Sequence, residues 1–316
     1  MLLSIIAPVR NEIEYISRTF NSICEATVDI ECEIFFVDGN SDDGTYEWLN
    51  SALIGIENCS LISNSKKYVN FGFNIAFPMT SGKYISRLDG HTIYPKNYFK
   101  TSIDILDNNE ADIVGGPAMH RGRTWRGETI AKCMMHYFGV GNSSFRISDN
   151  RMLVDTIPFA VYKRKVFEDV GLYDEELIKN QDDEHNFRCR SFGYRIMMDP
   201  KLKTDYFVKE TLIDLWSQYF RYGLYKPLVF KKTPSGKRLH HIIPSLFMIS
   251  GILTLLLSLF KSFFLLPIIL YSCLLIIISI MIQPTIKRKF YSVLVFPCLH
   301  IAYGAGYIFG LLKNTK

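Results

Sequence analysis

Two possible metal ligands stand two residues apart in the stretch "YISRLDGHTIYP", Tyr84 to Pro95. The apolar residues before Asp89 are typical of a buried strand, so Asp89, Gly90 and His91 fall where that strand should end. A carboxylate and an imidazole at such a position can hold a divalent cation. The spacing therefore raises the question of which elements bring this pair to a site.

Apolar residues in the first part of the chain alternate between strand-like runs and helix-like spacing. We predict strands over Leu2 to Val9, Glu33 to Val37, Ser60 to Ser63 and Tyr84 to Leu88. We predict helices from the spacing of Ile13, Ile16, Phe20 and Ile23, and over Thr45 to Leu53 and Asn70 to Met79. This alternation favours an α/β fold with a mostly parallel central sheet covered on both faces.

Three polar turns fall at the same edge of this predicted sheet, namely Pro8 to Asn11, Asp38 to Asp43 and Asp89 to His91. Ligands of open α/β sheets bind in the crevice at the carboxyl ends of the strands. We therefore expect the three turns to converge on one site. Neither G-x-G-x-x-G nor G-x-x-x-x-G-K-[S/T] occurs in the chain, so a bound nucleotide would be held by acids and a metal.

The composition suits one sizeable globular domain and a smaller region, since the chain has 316 residues and a net charge of +5. Its seven cysteines are scattered without a C-x-x-C pair, which argues against structural zinc or a disulfide framework and fits a reducing, cytoplasmic environment. The first basic residue, Arg10, follows the opening apolar run, so we interpret that run as a strand and not as a signal peptide. We expect no nucleic-acid partner.

The composition changes near Arg238, which predicts a soluble domain over residues 1–238 and a membrane region over residues 239–316. Long apolar runs in this region approach the roughly 20 residues needed to cross a bilayer. The third run contains Pro297 and His300 and is the weakest. We expect two to three transmembrane helices, at about 242–260, 263–282 and 293–312.

Basic residues indicate the orientation of these predicted helices. Clusters precede the first run and follow the second, whereas the connection between them carries only Lys261. The clusters are Lys226, Lys231, Lys232, Lys237 and Arg238, and then Lys287, Arg288 and Lys289. By the positive-inside rule both clusters face the cytoplasm, which predicts a multi-pass protein of the cytoplasmic membrane with a cytoplasmic N-terminal domain.

Several motifs in one order resemble the family 2 glycosyltransferases, which have the GT-A nucleotide-sugar fold. "SIIAPVRNE" resembles the opening strand of that family, "EIFFVDGNSDDGT" its second strand and acidic turn, and "SRLDGHT" its DxD element. The His at the third position of this element is similar to membrane-associated bacterial exopolysaccharide glycosyltransferases of the succinoglycan-synthesis type. The resemblance runs from Leu3 to about Gly223.

The resemblance implies that Asp89 binds a Mn²⁺ or Mg²⁺ ion that bridges the diphosphate of a sugar nucleotide. His91 would favour Mn²⁺ if it is a ligand, or would only hydrogen-bond a phosphate. An acid after a strand is also a common turn former. Both alternatives stay open on the residues alone.

The same resemblance implies nucleotide contacts along the other turns. Asp38 would accept a hydrogen bond from the base, and Asp43 would be the second acid of its turn, although Gly39 stands where relatives often have another acid. Asp42 suits a helix cap. The implied nucleotide-sugar contacts are Pro8, Arg10, Glu12, Asp38, Asp43, Lys67, Asn74 and Asp89.

The second half of the chain supplies the expected base and acceptor side. "VGLYDEELIKNQDDEHNFRCR" resembles the acidic element of the family, in which Asp182 matches the catalytic base of an inverting transfer. Acids at a helix start also favour the helix dipole, which explains Asp183 or Glu184 better than Asp182.

"QYFRY" resembles the QxxRW element of processive relatives, with Tyr222 in place of Trp. It predicts an acceptor or membrane side formed by Gln218, Arg221 and Tyr222 on an interfacial helix over 212–230. A plain amphipathic core helix is the alternative. No multi-helix channel follows in the sequence, which favours the addition of a single sugar.

The predicted function is transfer of a sugar from a nucleotide-sugar donor to a polyprenyl-diphosphate-linked acceptor during surface or exopolysaccharide synthesis. Two alternatives stay open. A nucleotidyltransferase would share the α/β sheet, but it would need a basic Gly-rich loop near its first strand and would have no transmembrane helices. A catalytically silent membrane scaffold would not need Asp38, Asp89 and Asp182 together.

Overall fold

The computed structural model describes residues 1–141 and 149–314. The chain forms two compact units: a first unit of Met1–Met119 and Ser144–Tyr206, and a second of His120–Ser143 and Phe207–Lys316. Residues 120–143 and 207–238, which we expected in the N-terminal domain, thus group with the C-terminal helices.

The first unit contains strands that alternate with helices. In chain order the elements are β1 (Leu3–Val9), α1 (Ile16–Thr27), β2 (Cys32–Asp38), α2 (Thr45–Ala52), β3 (Cys59–Ser63), α3 (Val69–Ala76), β4 (Tyr84–Arg87), β5 (Thr92–Ile93), α4 (Tyr98–Asp107) and β6 (Ile113–Gly115). The strand β7 (Ala118–Arg121) begins in the first unit and ends in the second.

The helices α5 (Trp125–Met135) and α6 (Tyr137–Val140) follow in the second unit. The chain then returns to the first unit. The elements there are β8 (Met152–Leu153), β9 (Val161–Lys163), α7 (Arg164–Val170), α8 (Gln181–Ser191), β10 (Ile196–Met198) and β11 (Thr204–Phe207), of which Phe207 opens the second unit.

The main sheet has eight strands in the order β3-β2-β1-β4-β9-β6-β10-β8. The strands β1 to β4 pair in parallel, and β10 pairs in parallel with β6. The strand β9 runs antiparallel to both β4 and β6, and β8 runs antiparallel to β10. The expected α/β architecture with a mostly parallel sheet is confirmed.

Each face of this sheet is covered by an apolar layer. Ile5 and Phe36 point into the layer that includes α1 and α4, whereas Ile6 and Phe35 point into the layer that includes α3 and α7. The strand β1 is buried on both faces, which is why its sequence is a continuous apolar run and does not alternate. Its carboxyl end therefore sits on a rigid base.

The second unit is helical beyond β7. Besides α5 and α6 it contains α9 (Leu212–Lys232), α10 (Ile243–Ser258), α11 (Leu266–Ile282) and α12 (Ile286–Asn314). The backbones of α9 and α12 approach closely at glycines: a Cβ on Gly223 would overlap the Tyr303 carbonyl, and a Cβ on Gly306 would overlap the Phe220 carbonyl. The expected helix at 212–230 exists, and it packs along α12.

Two helices of the described residues are long and apolar enough to cross a membrane. The first is Ser262–Ile282, whose most apolar stretch has a mean hydropathy of 2.8 and is 17% buried. The second is Ile286–Lys313, whose most apolar stretch has a mean hydropathy of 1.6 and is 50% buried. The first apolar run forms a helix of only 16 residues, about 24 Å long against a hydrocarbon core of about 30 Å. The third run, which the sequence ranked as the weakest, is extended upstream by residues 286–292 into one long helix.

Candidate active site

The turns after β1, β2 and β3 meet in the first unit. A Cβ on Gly39 would lie 2.8 Å from the Lys67 carbonyl oxygen and 3.2 Å from Arg10 Cβ. This close approach explains why the position after Asp38 is a glycine. Asn11, Asn40 and Lys67 all have positive φ, between 56° and 69°, so the three turns share a costly left-handed backbone of the kind found at ligand sites.

The carboxylate of Asp38 shapes the acidic turn. Asp38 is 3% exposed, and its two oxygens accept hydrogen bonds from the Ser41 backbone N–H at 3.0 Å and from Ser41 Oγ at 2.5 Å. These contacts hold the turn at the end of β2. Recognition of a nucleotide base by Asp38 stays a prediction.

Asp43 satisfies the backbone at the start of α2. Its carboxylate accepts from the Thr45 N–H at 3.0 Å, from Thr45 Oγ1 at 2.6 Å and from the Ile13 N–H at 3.1 Å. Burial acts to raise the pKa of Asp43, but these hydrogen bonds outweigh it and lower that pKa below its ordinary value. Our helix-cap assignment for Asp42 was wrong, since Asp42 instead accepts from Asn11 Nδ2 at 2.8 Å.

Glu12 orients the imidazole of His91. Glu12 Oε1 lies 2.8 Å from His91 Nδ1, and because an ionised carboxylate only accepts, the histidine is the donor. A histidine that donates from Nδ1 carries its lone pair on Nε2, as metal-binding histidines held by a carboxylate do. The ring also packs 5.0 Å from the ring of Tyr206. Glu12, which we expected beside the nucleotide, thus has a contact to the predicted metal ligand.

Arg87 is the buried cation of the site. Its side chain is 5% exposed, and its Nη2 donates to Asp89 Oδ1 at 2.7 Å. Burial alone lowers the pKa of Arg87, but its interactions with Asp89, and then with Tyr173 and Asp182, raise it above its ordinary value. The guanidinium therefore stabilises both the predicted metal ligand and the predicted base.

Asp182 lies in the first turn of α8 and is half-buried. Burial raises the pKa of Asp182, the neighbouring Asp183 and Asp89 add to this, and Arg87 opposes them. Its neighbours have other partners: Asp183 Oδ1 accepts from Thr156 Oγ1 at 2.9 Å, and Glu184 Oε1 accepts from Arg188 Nε at 2.9 Å. The structural interpretation thus suits Asp183 and Glu184, as the sequence suggested.

Two asparagines of α3 hold the segment that leads to α8. Asn70 Nδ2 donates to the carbonyls of Asp174, at 3.0 Å, and Leu177, at 3.2 Å. Asn74 Nδ2 donates to the Tyr173 carbonyl at 2.8 Å, and its Oδ1 accepts from the Tyr173 N–H at 3.2 Å. Asn74 was expected beside the nucleotide, whereas its amide is engaged with this backbone. It holds the backbone at Tyr173, in the segment that leads to α8.

The remaining expected contacts differ in exposure. Pro8 is buried inside β1 and would be 3.2 Å from a Cβ on Gly72, so it supports the sheet edge. Arg10 and Lys67 are exposed. In the second unit, Gln218 Nε2 donates to the Tyr222 hydroxyl at 2.9 Å, and Arg221 is exposed. Roles for Arg10, Lys67, Gln218, Arg221 and Tyr222 stay predictions.

Sequence reasoning missed Arg87 and Asn70. An arginine inside the apolar run "YISRL" was the available signal, because a guanidinium in a buried strand needs a carboxylate partner. Asn70 gave no such signal, since its partners lie more than a hundred residues away.

The fold and the acids at the carboxyl ends of its strands define a GT-A glycosyltransferase. A mannosyltransferase structure from Pyrobaculum calidifontis, PcManGT in complex with GDP-Man and Mn²⁺, superposes with a TM-score of 0.68 over 98% of this chain and 87% of that one, at 14% identity. The sequence model of glycosyl transferase family 2 matches residues 4–171, more than half of the chain. The chain belongs to glycosyl transferase family 2.

Curated relatives extend the similarity beyond the family domain. The succinoglycan biosynthesis protein ExoA of Rhizobium meliloti (strain 1021) is 25% identical over 76% of this chain and 73% of its own length. A dolichyl N-acetyl-alpha-D-glucosaminyl phosphate 3-beta-D-2,3-diacetamido-2,3-dideoxy-beta-D-glucuronosyltransferase of Methanococcus voltae is 24% identical over 73% of this chain and 74% of its own. Both matches cover most of each protein.

Proposed function

We propose that this glycosyltransferase moves a sugar, with inversion, from a nucleotide-sugar donor to a polyprenyl-diphosphate-linked saccharide acceptor in surface polysaccharide synthesis. The observation that carries the proposal is the buried Arg87, which pairs with Asp89 and stabilises Asp182. It joins Asp89, the proposed metal ligand, and Asp182, the proposed base, in one electrostatic unit. The names of the relatives, one in succinoglycan biosynthesis and one acting on a dolichyl-linked sugar, support the substrate class.

The residues present fit a divalent cation. Asp89 would offer a carboxylate oxygen, and His91, held by Glu12, would offer Nε2. Within residues 1–141 and 149–314 no group of three His, Cys, Asp or Glu side chains is placed to hold a metal, which fits a Mn²⁺ or Mg²⁺ site completed by substrate phosphates. The chemistry that such an ion supplies is neutralisation of the charge on the leaving diphosphate.

Asp182 is the proposed base. Inversion requires that a carboxylate take the proton of the attacking acceptor hydroxyl while the diphosphate leaves from the opposite face of the sugar. Burial raises the pKa of Asp182, which brings its basicity nearer to that needed at neutral pH. The positive charge of Arg87 opposes this rise in the pKa of Asp182.

The second unit provides the proposed membrane attachment. Large apolar side chains along α10 and α11, and directly after α10, are exposed: Leu253 at 53% and Met281 at 78% in the helices, and Leu259 and Phe260 at 80% and 84% after α10. Such a surface is stable in lipid and not in water. A lipid-linked acceptor would be met at this membrane, and we propose that the first unit faces the cytoplasm as the basic clusters predict.

The test is a donor screen with the full chain reconstituted in lipid. Sugar nucleotides are supplied with Mn²⁺, and release of nucleoside diphosphate is followed with and without polyprenyl-diphosphate saccharides. We expect one donor class to be consumed, faster with acceptor, and not in excess chelator. Consumption unaffected by chelator would contradict the metal assignment. No consumption of any donor would favour a silent scaffold, whereas the nucleotidyltransferase alternative is already disfavoured by the family.

A further inference from the structure

An apolar groove of about 450 Å³ lies in the second unit, between the start of α9 and the first half of α12. Ile213 and Trp216 line it from α9, and Leu294, Cys298 and Ile301 line it from α12. Ile213 is 82% exposed and Leu294 is 57% exposed. An apolar groove with exposed walls requires an apolar occupant.

A cluster of cations and aromatic rings, Arg126, Lys287, Trp125 and Tyr291, lies in the same unit. Lys287 Nζ sits 4.0 Å from the centre of the Trp125 ring, and Arg126 Cζ lies 5.4 Å from it. The Tyr291 ring packs edge-on against Trp125 at 5.2 Å. Arg126 and Lys287 are both exposed. Tryptophan and tyrosine beside basic side chains are typical of the level of lipid headgroups.

The cation cluster and the groove are continuous along one face of α12. Lys287, Tyr291, Leu294, Cys298 and Ile301 follow one another at spacings of four, three, four and three residues, which keeps them on one side of a helix. Leu294 lies about 10 Å along the axis from Lys287, and Ile301 about 10 Å further. The face thus runs from cation through aromatic ring to apolar groove.

We propose that this face binds an anionic glycerophospholipid, with its phosphate at Lys287 and Arg126 and one acyl chain in the groove. A negative headgroup complements the two exposed cations, and the apolar lining accepts the chain. The lining belongs wholly to the second unit, which contains none of Asp38, Asp89 and Asp182. The lipid-linked acceptor is the competing occupant, and the experiment below distinguishes the two. The inference rests on the proposed membrane attachment and not on the sugar transfer.

Fluorescence of Trp216 tests the proposal, because this ring lines the groove and bromine atoms on an acyl chain quench a nearby indole. The full chain is placed in phosphatidylcholine vesicles that contain a small fraction of brominated phosphatidylglycerol or brominated phosphatidylcholine. The fluorescence of Trp216 is obtained by subtracting the fluorescence of Trp216→Phe from that of the wild type. We expect the brominated phosphatidylglycerol to quench at a mole fraction lower by about fivefold or more, because each cation near an anionic lipid contributes about 1 kcal/mol.

Matched variants distinguish a specific phospholipid site from a general attraction between basic side chains and anionic lipid. Lys287→Ala with Arg126→Ala should abolish the preference, whereas Lys313→Ala, at the other end of α12, should leave it unchanged. Equal quenching by the two lipids, or an equal loss in Lys313→Ala, would overturn the proposal. Displacement of the phosphatidylglycerol by polyprenyl phosphate at a lower mole fraction would also overturn it and assign the groove to the acceptor. Failure of the chain to float with any vesicle would instead refute the membrane attachment itself.

Discussion

The two units hold their elements together in opposite ways. In the first unit, buried polar groups tie distant segments: Arg188 pairs with Glu184 and donates to the carbonyls of Val170 and Leu172 at 2.6 and 2.7 Å. In the second unit, α9 and α12 approach through glycines, with a Cβ on Gly310 set to overlap the Leu224 carbonyl. The first unit is therefore held together by polar side chains. The packing of α9 against α12 in the second unit depends instead on glycines, which have no side chain.

This difference predicts different responses to substitution. Removing a polar side chain in the first unit leaves a partner buried and unpaired, which disturbs the geometry of the site. Adding even a methyl group in the second unit separates two backbones. Activity should respond most in the first unit, and stability in the second.

Asp89→Ala should have the largest effect on activity. The variant removes the proposed metal ligand and leaves the guanidinium of Arg87 without its closest carboxylate. We expect turnover to fall by about 10²- to 10³-fold or more, measured as nucleoside diphosphate release at saturating Mn²⁺. His91→Ala should cost less and should change the preference between Mn²⁺ and Mg²⁺. An unchanged preference would reduce His91 to a phosphate contact.

Asn70→Ala should have a smaller effect on activity. It removes the two hydrogen bonds to Asp174 and Leu177 that hold the segment before α8. Each lost contact is worth about 1 kcal/mol, so we expect turnover to fall by up to about 30-fold with little change in the KM for the donor. A rise in KM without a fall in turnover would assign Asn70 to the donor side instead.

A matched pair of glycines tests the second unit. Gly306→Ala places a methyl group against the Phe220 carbonyl, whereas a Cβ on Gly251 in α10 meets nothing within 4 Å. We expect Gly306→Ala to destabilise by about 1–3 kcal/mol and Gly251→Ala to be neutral or stabilising by up to about 1 kcal/mol. Thermal unfolding in detergent measures both. Equal Tm values for the two variants would contradict the glycine packing.

His185 should give no effect at neutral pH and an effect on stability only in acid. Burial first, and then the charge of Arg188, lowers the pKa of His185 from 6.5 to about 3. Between these values the unfolded chain takes up a proton that the folded chain does not, so stability falls as the pH falls below 6.5, by about 1.4 kcal/mol per pH unit. Comparing the pH dependence of unfolding in wild type and His185→Gln measures this, and parallel curves would contradict it.

The sequence predicted the first four strands to within about a residue, because each is an apolar run that ends in a polar turn. It placed Ile13 in the first helix, whereas α1 begins at Ile16. The three-residue strands β6, β9 and β10 carry too few residues for a periodic signal, and their pairing is decided by tertiary contacts.

Tertiary contacts also limit what the sequence can predict about the candidate site. Asp89, His91 and Asp182 were identified from motifs, but the contact of Glu12 with His91 and the contacts of Asn70 before α8 become evident only when distant segments are brought together. A side chain's type does not reveal its partner. Asn74, for example, bonds the backbone of Tyr173, and its contact with the nucleotide stays a prediction.

The most direct test of the account compares Asp182→Asn with Asp183→Asn. The first variant keeps the size of the side chain but cannot accept a proton, so the account predicts a fall in turnover of roughly 10²- to 10⁴-fold with donor affinity nearly unchanged. Asp183, bonded to Thr156, should lose only stability when replaced. Near-normal turnover in Asp182→Asn together with a loss of turnover in Asp183→Asn would assign the base to Asp183. Normal turnover in both would contradict the central claim.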